Sequence, residues 1–263
     1  MTAQRDENSV VLVGAGNVGS HLAHALVGAG YRVIGVTSRT LASAKRLAER
    51  LPQCEAATDI AALARAYIYI ICTPDDFIPS VASHISAYAP EALLIHTSGS
   101  TPLSVFGTHR RCGVMYPLQT FSRSRAIDFH EVPLFVEGNN EEALLATEAL
   151  AKKLCRRVSR LDSAARKSLH LAAVFACNFP NACINIASQL MDDAGQDWRL
   201  LLPLIHEMVG KLDELSPHEA QTGPAARGDR QLIKRQRTII HDAAQRKVYD
   251  ALSDYILARA VDE

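Results

Sequence analysis

A glycine-rich run near the N-terminus restricts the possible folds of this chain more than any other feature. The letters GAGNVG occupy residues 14–19, follow the apolar residues 10–13 and open a stretch with Leu22, Ala25 and Leu26 at helical spacing. In such a run the first glycine permits a tight turn, the second lets the backbone approach a pyrophosphate, and the third allows close helix packing. The helix N-terminus adds free N–H groups and a positive dipole end. The pattern predicts a βαβ unit that binds a dinucleotide through Gly14, Gly16, Asn17, Val18 and Gly19; the alternative is a glycine-rich turn that binds nothing.

The end of the second predicted strand indicates which dinucleotide is bound. NAD-binding proteins place an Asp or Glu there to hold the ribose 2′-hydroxyl. This chain has Thr37, Ser38, Arg39 and Thr40 at that point, with no carboxylate. Because a guanidinium pairs bidentately with a phosphate and the flanking hydroxyls can donate to it, the sequence favours NADP as the cofactor. The alternative is that Arg39 is a solvated loop cation.

Two further strand ends carry small polar residues. Thr73 and Pro74 follow one apolar run, and Ser98 and Gly99 follow the next. Ligands of open α/β sheets bind at the carboxyl ends of the strands, so we expect these four residues to contact the ribose and nicotinamide, and Ser98 also the substrate. Ordinary turns use the same residue types.

Alternation of apolar runs and helical stretches indicates the fold class. Strands are predicted at residues 10–14, 32–37, 67–72, 92–96, 113–115, 133–136 and 157–160, and helices at 18–29, 41–51 and 141–155. This is the pattern of a doubly wound, mostly parallel α/β sheet of the Rossmann type. After residue 162 the strand signal stops, and the rest reads as helix with breaks near Gly195, Ser216 and residues 223–228. We therefore predict an NADP-binding domain over 1–162 and an all-helical domain over 163–263.

Composition narrows the classes of partner. The 28 basic residues balance 28 acidic ones, so no nucleic-acid or membrane-surface binding is expected. The 6 cysteines form no CxxC pair, which predicts neither a metal site nor a disulfide framework and favours a reducing, cytoplasmic location. Residues 1–8 are short and polar and do not resemble a secretion signal.

The segment 169–191 contains no formally charged residue and is long enough to span a bilayer. Several polar residues interrupt it, and Pro180 lies in its middle. Because polar groups are costly in a membrane, we expect a helix buried inside protein instead.

A polar stripe on this helix suggests where chemistry occurs. At about 100° per residue, Lys167, His170, Asn178, Asn181, Asn185 and Ser188 fall within a sector of about 80°. Reduction of a carbonyl needs a proton donor and a group that orients the oxygen. We predict His170 or Lys167 as the donor and Asn178 as the orienting group. The alternative is that the polar side chains of the stripe form hydrogen bonds with neighbouring helices or across a subunit interface.

Two loops offer candidate substrate contacts. In residues 222–229, TGPAARGD, Arg227 can bind a substrate carboxylate and Asp229 can cap the next helix. The alternative is an ion pair between Arg227 and Asp229 that only stabilises the loop. In residues 115–122, MYPLQTFS, the polar candidates are Tyr116, Gln119 and Thr120. For Tyr116, a purely structural role in packing is an equal alternative.

Six motifs together resemble a known family: GAGNVG, the Ser38-Arg39-Thr40 turn, HTSGS at 96–100, YPLQTFS at 116–122, HLAAVFACNF at 170–179 and TGPAARGD at 222–229. Its members join a Rossmann-like domain to a C-terminal helical domain of unknown function and are often labelled NADP oxidoreductases. The wider clan includes pyrroline-5-carboxylate reductase, ketopantoate reductase, and hydroxyisobutyrate and phosphogluconate dehydrogenases. The resemblance implies an active site between the domains and a homodimer formed through the helical domain. The Lys–Asn pair of those dehydrogenases does not carry over, since Leu171 stands four residues after Lys167.

Three hypotheses follow. The first is an NADPH-dependent reductase of a small oxo acid such as ketopantoate, in which His170 donates the proton, Asn178 orients the carbonyl and Arg227 anchors the carboxylate. The second is an imine reductase resembling pyrroline-5-carboxylate reductase. The third is a protein that binds NADP(H) and reports its redox state to a partner without turnover.

Overall fold

A computed structural model of the chain describes residues 6–260, so part of the stretch 1–8 discussed above lies outside the described residues. The strands are β1 (Ser9–Val13), β2 (Arg32–Thr37), β3 (Glu55–Ala57), β4 (Ile68–Ile71), β5 (Leu93–His96), β6 (Cys112–Pro117), β7 (Leu134–Gly138) and β8 (Val158–Arg160). The helices are α1 (Asn17–Gly28), α2 (Leu41–Ala48), α3 (Ile78–Tyr88), α4 (Glu141–Leu154), α5 (Ser163–Ala173), α6 (Phe179–Asp193), α7 (Leu202–Gly210), α8 (Arg230–Ile239) and α9 (Ala243–Ala260).

The strands form one sheet in the order β3-β2-β1-β4-β5-β6-β7-β8. Every neighbouring pair is parallel except β6 and β7, which are antiparallel. The chain order reverses between β1 and β4, and open α/β sheets bind ligands in the crevice at such a reversal. The predicted Rossmann-type α/β class is therefore confirmed.

Alternation along the strands divides the core between the two faces of the sheet. On one face, Val10 and Leu12 of β1 pack in a cluster with residues of α1, α2 and α4. On the other, Val11 and Val13 pack in a cluster that includes Ile78 and other residues of α3. Burial on both faces explains why these strands read as unbroken apolar runs.

The predicted element bounds were wrong at several points. Strand β3 was missed, because Glu55-Ala56-Ala57 has no β-branched or aromatic residue to indicate a strand. The strand predicted at 113–115 extends to Pro117, because Tyr116 pairs with Phe135 across the antiparallel ladder. Helix α2 ends at Ala48, before the predicted end at residue 51.

The chain divides into two compact units, Met1–Cys177 and Asn178–Glu263. The boundary predicted after residue 162 falls earlier, at the N-terminal end of α5. Helix α5 lies in the first unit, where its Arg166 is fully buried and pairs with Glu137 of β7. The second unit contains helices α6 to α9.

A π-helical turn, Val174–Asn178, links α5 to α6. Pro180 follows this turn within the continuous helix Ser163–Asp193, so the π-helical turn lies where the helix has to accommodate the N–H that proline lacks. A turn with i→i+5 hydrogen bonds changes the angular phase of a helix. The regular spacing assumed for the polar stripe thus fails beyond Val174.

Within the described residues, one helix is long and apolar enough to cross a membrane by length and composition, and it spans Ser163–Asp193. None of its apolar window is buried in the chain. The expectation of a helix covered on most sides is therefore wrong for the single chain.

Candidate functional site

A cleft of about 780 Å³ lies at the carboxyl ends of β1, β2 and β4. Seven residues predicted to bind the cofactor line it: Gly14, Gly16, Ser38, Arg39, Thr40, Thr73 and Pro74. They meet because the carboxyl ends of neighbouring parallel strands share one edge of the sheet.

The glycine turn after β1 is held in a conformation that requires glycine. Gly14 has a φ of +117°, and a Cβ there would lie 2.5 Å from the carbonyl oxygen of Cys72. At Gly16, by contrast, a Cβ would meet nothing within 4 Å. Gly16 also precedes α1 as its N-cap without a capping side chain. The backbone at the start of α1 is therefore open to a phosphate, as a dinucleotide requires.

The end of β2 supplies cationic and hydroxyl groups to the cleft. The guanidinium of Arg39 lies 5.9 Å from the centroid of the Phe77 ring. Thr40 caps α2 by accepting a hydrogen bond from the Ser43 N–H at 3.3 Å, so the positive end of α2 also lies at this point. A phosphate is the ligand that suits a guanidinium beside a helix N-terminus.

Two buried hydroxyl oxygens in the cleft, Oγ1 of Thr37 and Oγ1 of Thr73, have no hydrogen-bond partner among the described residues. Buried polar atoms normally take part in hydrogen bonds. A bound nucleotide can supply the hydrogen-bond partner for each of these two hydroxyl groups.

Five residues predicted to contact the cofactor do not line the cleft: Asn17, Val18, Gly19, Ser98 and Gly99. The Asn17 amide instead donates to the carbonyl oxygen of Phe121 at 2.9 Å. Gly19 is buried against Gly14, which is the packing role expected of a third glycine.

The turn after β5 uses its own polar groups to hold its shape. Oγ of Ser98 accepts hydrogen bonds from the N–H groups of Ser100 and Thr101 at 3.1 and 2.9 Å. The Ser100 hydroxyl donates to Asp75, which lies in the turn after β4 and so joins the two turns. Ser98, which was predicted to contact cofactor and substrate, therefore has a hydroxyl engaged within the turn.

Gly99 lies against a tyrosine–histidine pair. Oη of Tyr116 and Nδ1 of His170 are 3.0 Å apart, and the rings meet edge to face. A Cβ on Gly99 would lie 2.8 Å from both Nδ1 of His170 and Cζ of Tyr116. Burial raises the pKa of Tyr116, an effect that the charge of Arg166 partly offsets, so the phenol is protonated at neutral pH. His170 is half-buried, whereas Lys167 is exposed.

The buried side chain of Arg166 was missed in the sequence. Its guanidinium donates to Glu137 and to the carbonyl oxygens of Ser98 and Thr101. From sequence, a basic residue one turn before His170 is expected to be a solvated surface cation, because arginine is seldom fully buried. No local signal distinguishes a buried arginine from an exposed one.

The predicted contact Gln119 is exposed, and its Oε1 accepts from the Thr120 N–H at 2.8 Å. This hydrogen bond occupies the amide oxygen locally.

In the second unit, Asp229 caps α8 by accepting from the Leu232 N–H at 2.9 Å, as the sequence suggested. Arg227 is exposed, and within residues 6–260 its guanidinium has no hydrogen bond or ion pair. The alternative of an Arg227–Asp229 pair that locks the loop is thus not found. Asn178 is also exposed.

The sheet order, the glycine turn and the cleft define a dinucleotide-binding protein of the Rossmann type. The family model of a Rossmann-like domain matches residues 2–119, and that of a domain of unknown function, DUF2520, matches residues 132–256. The chain belongs to the family that joins these two domains, which confirms the resemblance noted in its motifs.

Solved structures agree with this assignment. BF3122 from Bacteroides fragilis, which bears the provisional name of an NADP oxidoreductase, is 40% identical with a TM-score of 0.89, over 95% of this chain and 98% of that one. TM1727 from Thermotoga maritima is 23% identical with a TM-score of 0.68, over 96% and 98%. A reductive aminase from Aspergillus terreus, in complex with NADPH and ethyl-5-oxohexanoate, is 20% identical with a TM-score of 0.69, over 97% and 93%. The last two likenesses show the fold alone. No curated protein matches the chain significantly.

Proposed function

We propose that this chain, an NADP(H)-dependent oxidoreductase of the Rossmann type, reduces the carbonyl of a small 2-oxo acid such as ketopantoate. The observation that carries the proposal is the Tyr116–His170 pair beside Gly99, at the same edge of the sheet as the dinucleotide cleft. Bound NADPH supplies the hydride. The chain then has to supply a proton and hold the carbonyl.

The choice of NADP rests on the cleft and on one relative. Arg39, the N-terminus of α2 and the absence of a carboxylate at the end of β2 suit a 2′-phosphate. The Bacteroides fragilis protein, which is 40% identical, bears the name of an NADP oxidoreductase.

The proton route follows from the hydrogen bond between Tyr116 and His170. The proposed route uses the tautomer in which the protonated Tyr116 phenol donates to Nδ1 of His170 and the imidazole proton lies on Nε2. As hydride reaches the carbonyl carbon, Nε2–H gives its proton to the developing alkoxide, and Nδ1 takes the phenol proton. The product is a 2-hydroxy acid. A proton from solvent then binds Nε2, and Nδ1 returns its proton to the Tyr116 phenolate, which restores the starting pair.

The substrate contacts predicted from the sequence are part of the proposal. Arg227 binds the substrate carboxylate, and Asn178 donates its amide to the substrate oxygen. In support, the Arg227 guanidinium has no other partner among the described residues, and Asp229 is occupied as a helix cap. Lys167 stays the alternative proton donor.

The proposal is tested with a panel of 2-oxo acids and cyclic imines, followed by loss of NADPH absorbance. For a 2-oxo acid substrate, we expect Tyr116→Phe and His170→Gln to lower kcat by about 100-fold or more, the usual contribution of positioned acid–base groups. His130→Gln, at an exposed histidine of the same unit, serves as the matched control. Turnover that survives both changes would refute the proton route.

Imine reduction is the second candidate, and the shared fold with the reductive aminase over 97% of the chain favours including it. A protonated imine brings its own proton. His170→Gln would therefore lower kcat much less with cyclic imines than with 2-oxo acids. NADPH binding without turnover of any compound in the panel would instead favour the redox-reporting hypothesis.

We also infer that two copies of the chain associate through the helical unit. Among the described residues of that unit, the buried apolar side chains are Ala225, Ile240 and Leu257. So small a core does not stabilise a folded unit of this size. Large apolar side chains are at least half exposed at Leu200, Leu204, Met208, Val209 and Leu212. A second copy covers such a surface, whereas the asparagines of α6 disfavour a bilayer.

Sedimentation in buffer without detergent tests the association. We expect wild type to sediment at twice the chain mass of 28.6 kDa and Leu204→Glu to sediment as a monomer. The matched control is Leu145→Glu, at a leucine that is 50% exposed on α4. A monomeric wild type, or a protein that needs detergent to stay in solution, would contradict the inference.

A further inference from the structure

The side chain of Arg166 is one of the largest fully buried side chains of the molecule, with 1% of its surface exposed. Its partner Glu137 accepts from Nη1 at 2.8 Å and is also largely buried. A buried ion pair adds little stability compared with an apolar replacement of the same volume. Stability alone therefore gives no strong reason for an arginine at this position.

The other contacts of Arg166 are made to one turn of backbone. Nε donates to the carbonyl oxygen of Ser98 at 3.2 Å, and Nη2 donates to that of Thr101 at 2.5 Å. One rigid guanidinium thus holds both ends of the turn that carries Gly99. A single-point cation such as lysine cannot reproduce this fork geometry.

A second set of hydrogen bonds ties the segment just after this turn to the start of α5. Oγ of Ser163 donates to Glu137 at 2.8 Å and accepts from the Leu103 N–H at 2.9 Å. Strand β7, helix α5 and the segment that follows β5 are therefore joined through one polar network.

Arg166 and His170 are four residues apart on α5 and so lie on the same face of the helix. Fixing Arg166 against the turn fixes the position of His170 relative to Gly99 and Tyr116. We propose that Arg166 is a positioning residue that clamps the Ser98–Thr101 turn to α5 and so holds the Tyr116–His170 pair against Gly99. The proposal deepens the proposed function and rests on it for the turnover readout alone.

The charge of Arg166 also acts on the pair. It opposes the rise that burial causes in the pKa of Tyr116. A positive charge at this position stabilises the phenolate that proton delivery leaves behind.

The test compares Arg166→Lys and Glu137→Gln with wild type as full-length protein. Arg166→Lys keeps the positive charge but loses the forked guanidinium that makes several hydrogen bonds. Glu137→Gln keeps the guanidinium but removes the negative charge that pairs with it. The matched control is Arg160→Lys, at a half-exposed arginine whose guanidinium pairs with Glu148. We measure NADPH affinity by fluorescence, kcat and KM with the 2-oxo acid found in the panel, and the pH profile of kcat.

For Arg166→Lys we expect kcat per folded molecule to fall about 10- to 100-fold, because a misplacement of about 1 Å at a reacting group costs that much. NADPH affinity should stay within about twofold, since Arg166 does not line the dinucleotide cleft. The pH profile should shift, which a purely stabilising role would not produce. If Arg166→Lys does not fold, Glu137→Gln carries the same expectations for the pH profile.

Nitrogen NMR of the His170 ring gives a readout that needs no substrate. In wild type we expect Nδ1 to show the hydrogen bond from Tyr116, and in Arg166→Lys we expect that signature to be lost. If wild type turns over no compound but the signature still depends on Arg166, the positioning role stands and the proposed function fails. If both variants keep the signature, the pH profile and the kcat per folded molecule of wild type, the positioning role is overturned.

Discussion

The charge of Arg39 should decide the preference of this protein for NADPH over NADH, and replacing it tests the cofactor assignment directly. The guanidinium lies in the dinucleotide cleft, 5.9 Å from the centroid of the Phe77 ring. Hydrogen bonds to a charged partner contribute about 1.5–3 kcal/mol. Because Arg39 is exposed and therefore screened by solvent, we take the lower end of that range.

A loss of about 1.5 kcal/mol weakens NADPH binding about tenfold in Arg39→Gln. NADH has no 2′-phosphate, so its affinity should not change. Titration of the nicotinamide fluorescence with each nucleotide, at low and high salt, measures both constants. The wild-type preference for NADPH should also narrow at high salt, because an exposed charge pair is screened.

The matched control is Arg65→Gln. The Arg65 guanidinium lies 5.0 Å from the centroid of the Tyr88 ring, a similar exposed stacking, but Arg65 does not line the cleft. Affinity for NADPH should be the same in this variant as in wild type. Equal weakening of NADH and NADPH in Arg39→Gln, or no weakening of either, would refute the assignment of the phosphate to Arg39.

Two further predictions concern the segment around β5. Gly99→Ala places a methyl group 2.8 Å from Nδ1 of His170 and from Cζ of Tyr116, so the pair must move; we expect kcat to fall about tenfold or more with little change in NADPH affinity. His96 is buried, and burial, with the charge of Arg166 as a smaller cause, lowers its pKa to about 3. Below about pH 6.5 the unfolded chain therefore binds a proton that the folded chain does not, and stability falls by about 1.4 kcal/mol per pH unit as the pH decreases toward 3. Denaturant titrations between pH 7 and pH 4.5 should show a shallower fall for His96→Gln than for wild type, whereas His130→Gln, at an exposed histidine of the first unit, should keep the wild-type slope.

The sequence could predict which residues meet in the cleft at the carboxyl edge of the sheet, because that depends on local features. Gly14, Arg39 and Thr73 each lie within a few residues of the end of a strand, and parallel strands bring such positions to one edge. The same reasoning placed Asn17 and Ser98 among the ligands. Both side chains hydrogen-bond within the protein, and sequence patterns do not reveal which internal partner a polar side chain takes.

The helix 163–193 shows what periodicity cannot supply. Apolar and polar spacing defines faces of a regular helix, but nothing in the pattern indicated the π-helical turn Val174–Asn178. The pattern of an apolar helix face also does not indicate whether the same chain or a second copy covers that face. Burial was expected within the chain, and the exposure of this helix instead supports association of two copies.

The sequence by itself determined the βαβ start, the basic and hydroxyl-bearing end of β2 and the change to an all-helical second half, because each depends on residues close together along the chain. Tertiary structure alone decided that Tyr116 meets His170, 54 residues away, and that Arg166 is buried across the turn at Gly99. The physical reason is that these contacts depend on how β5, β6 and β7 pair and on where α5 packs against them. A few ångströms of displacement in that packing, which no local pattern encodes, would separate the groups.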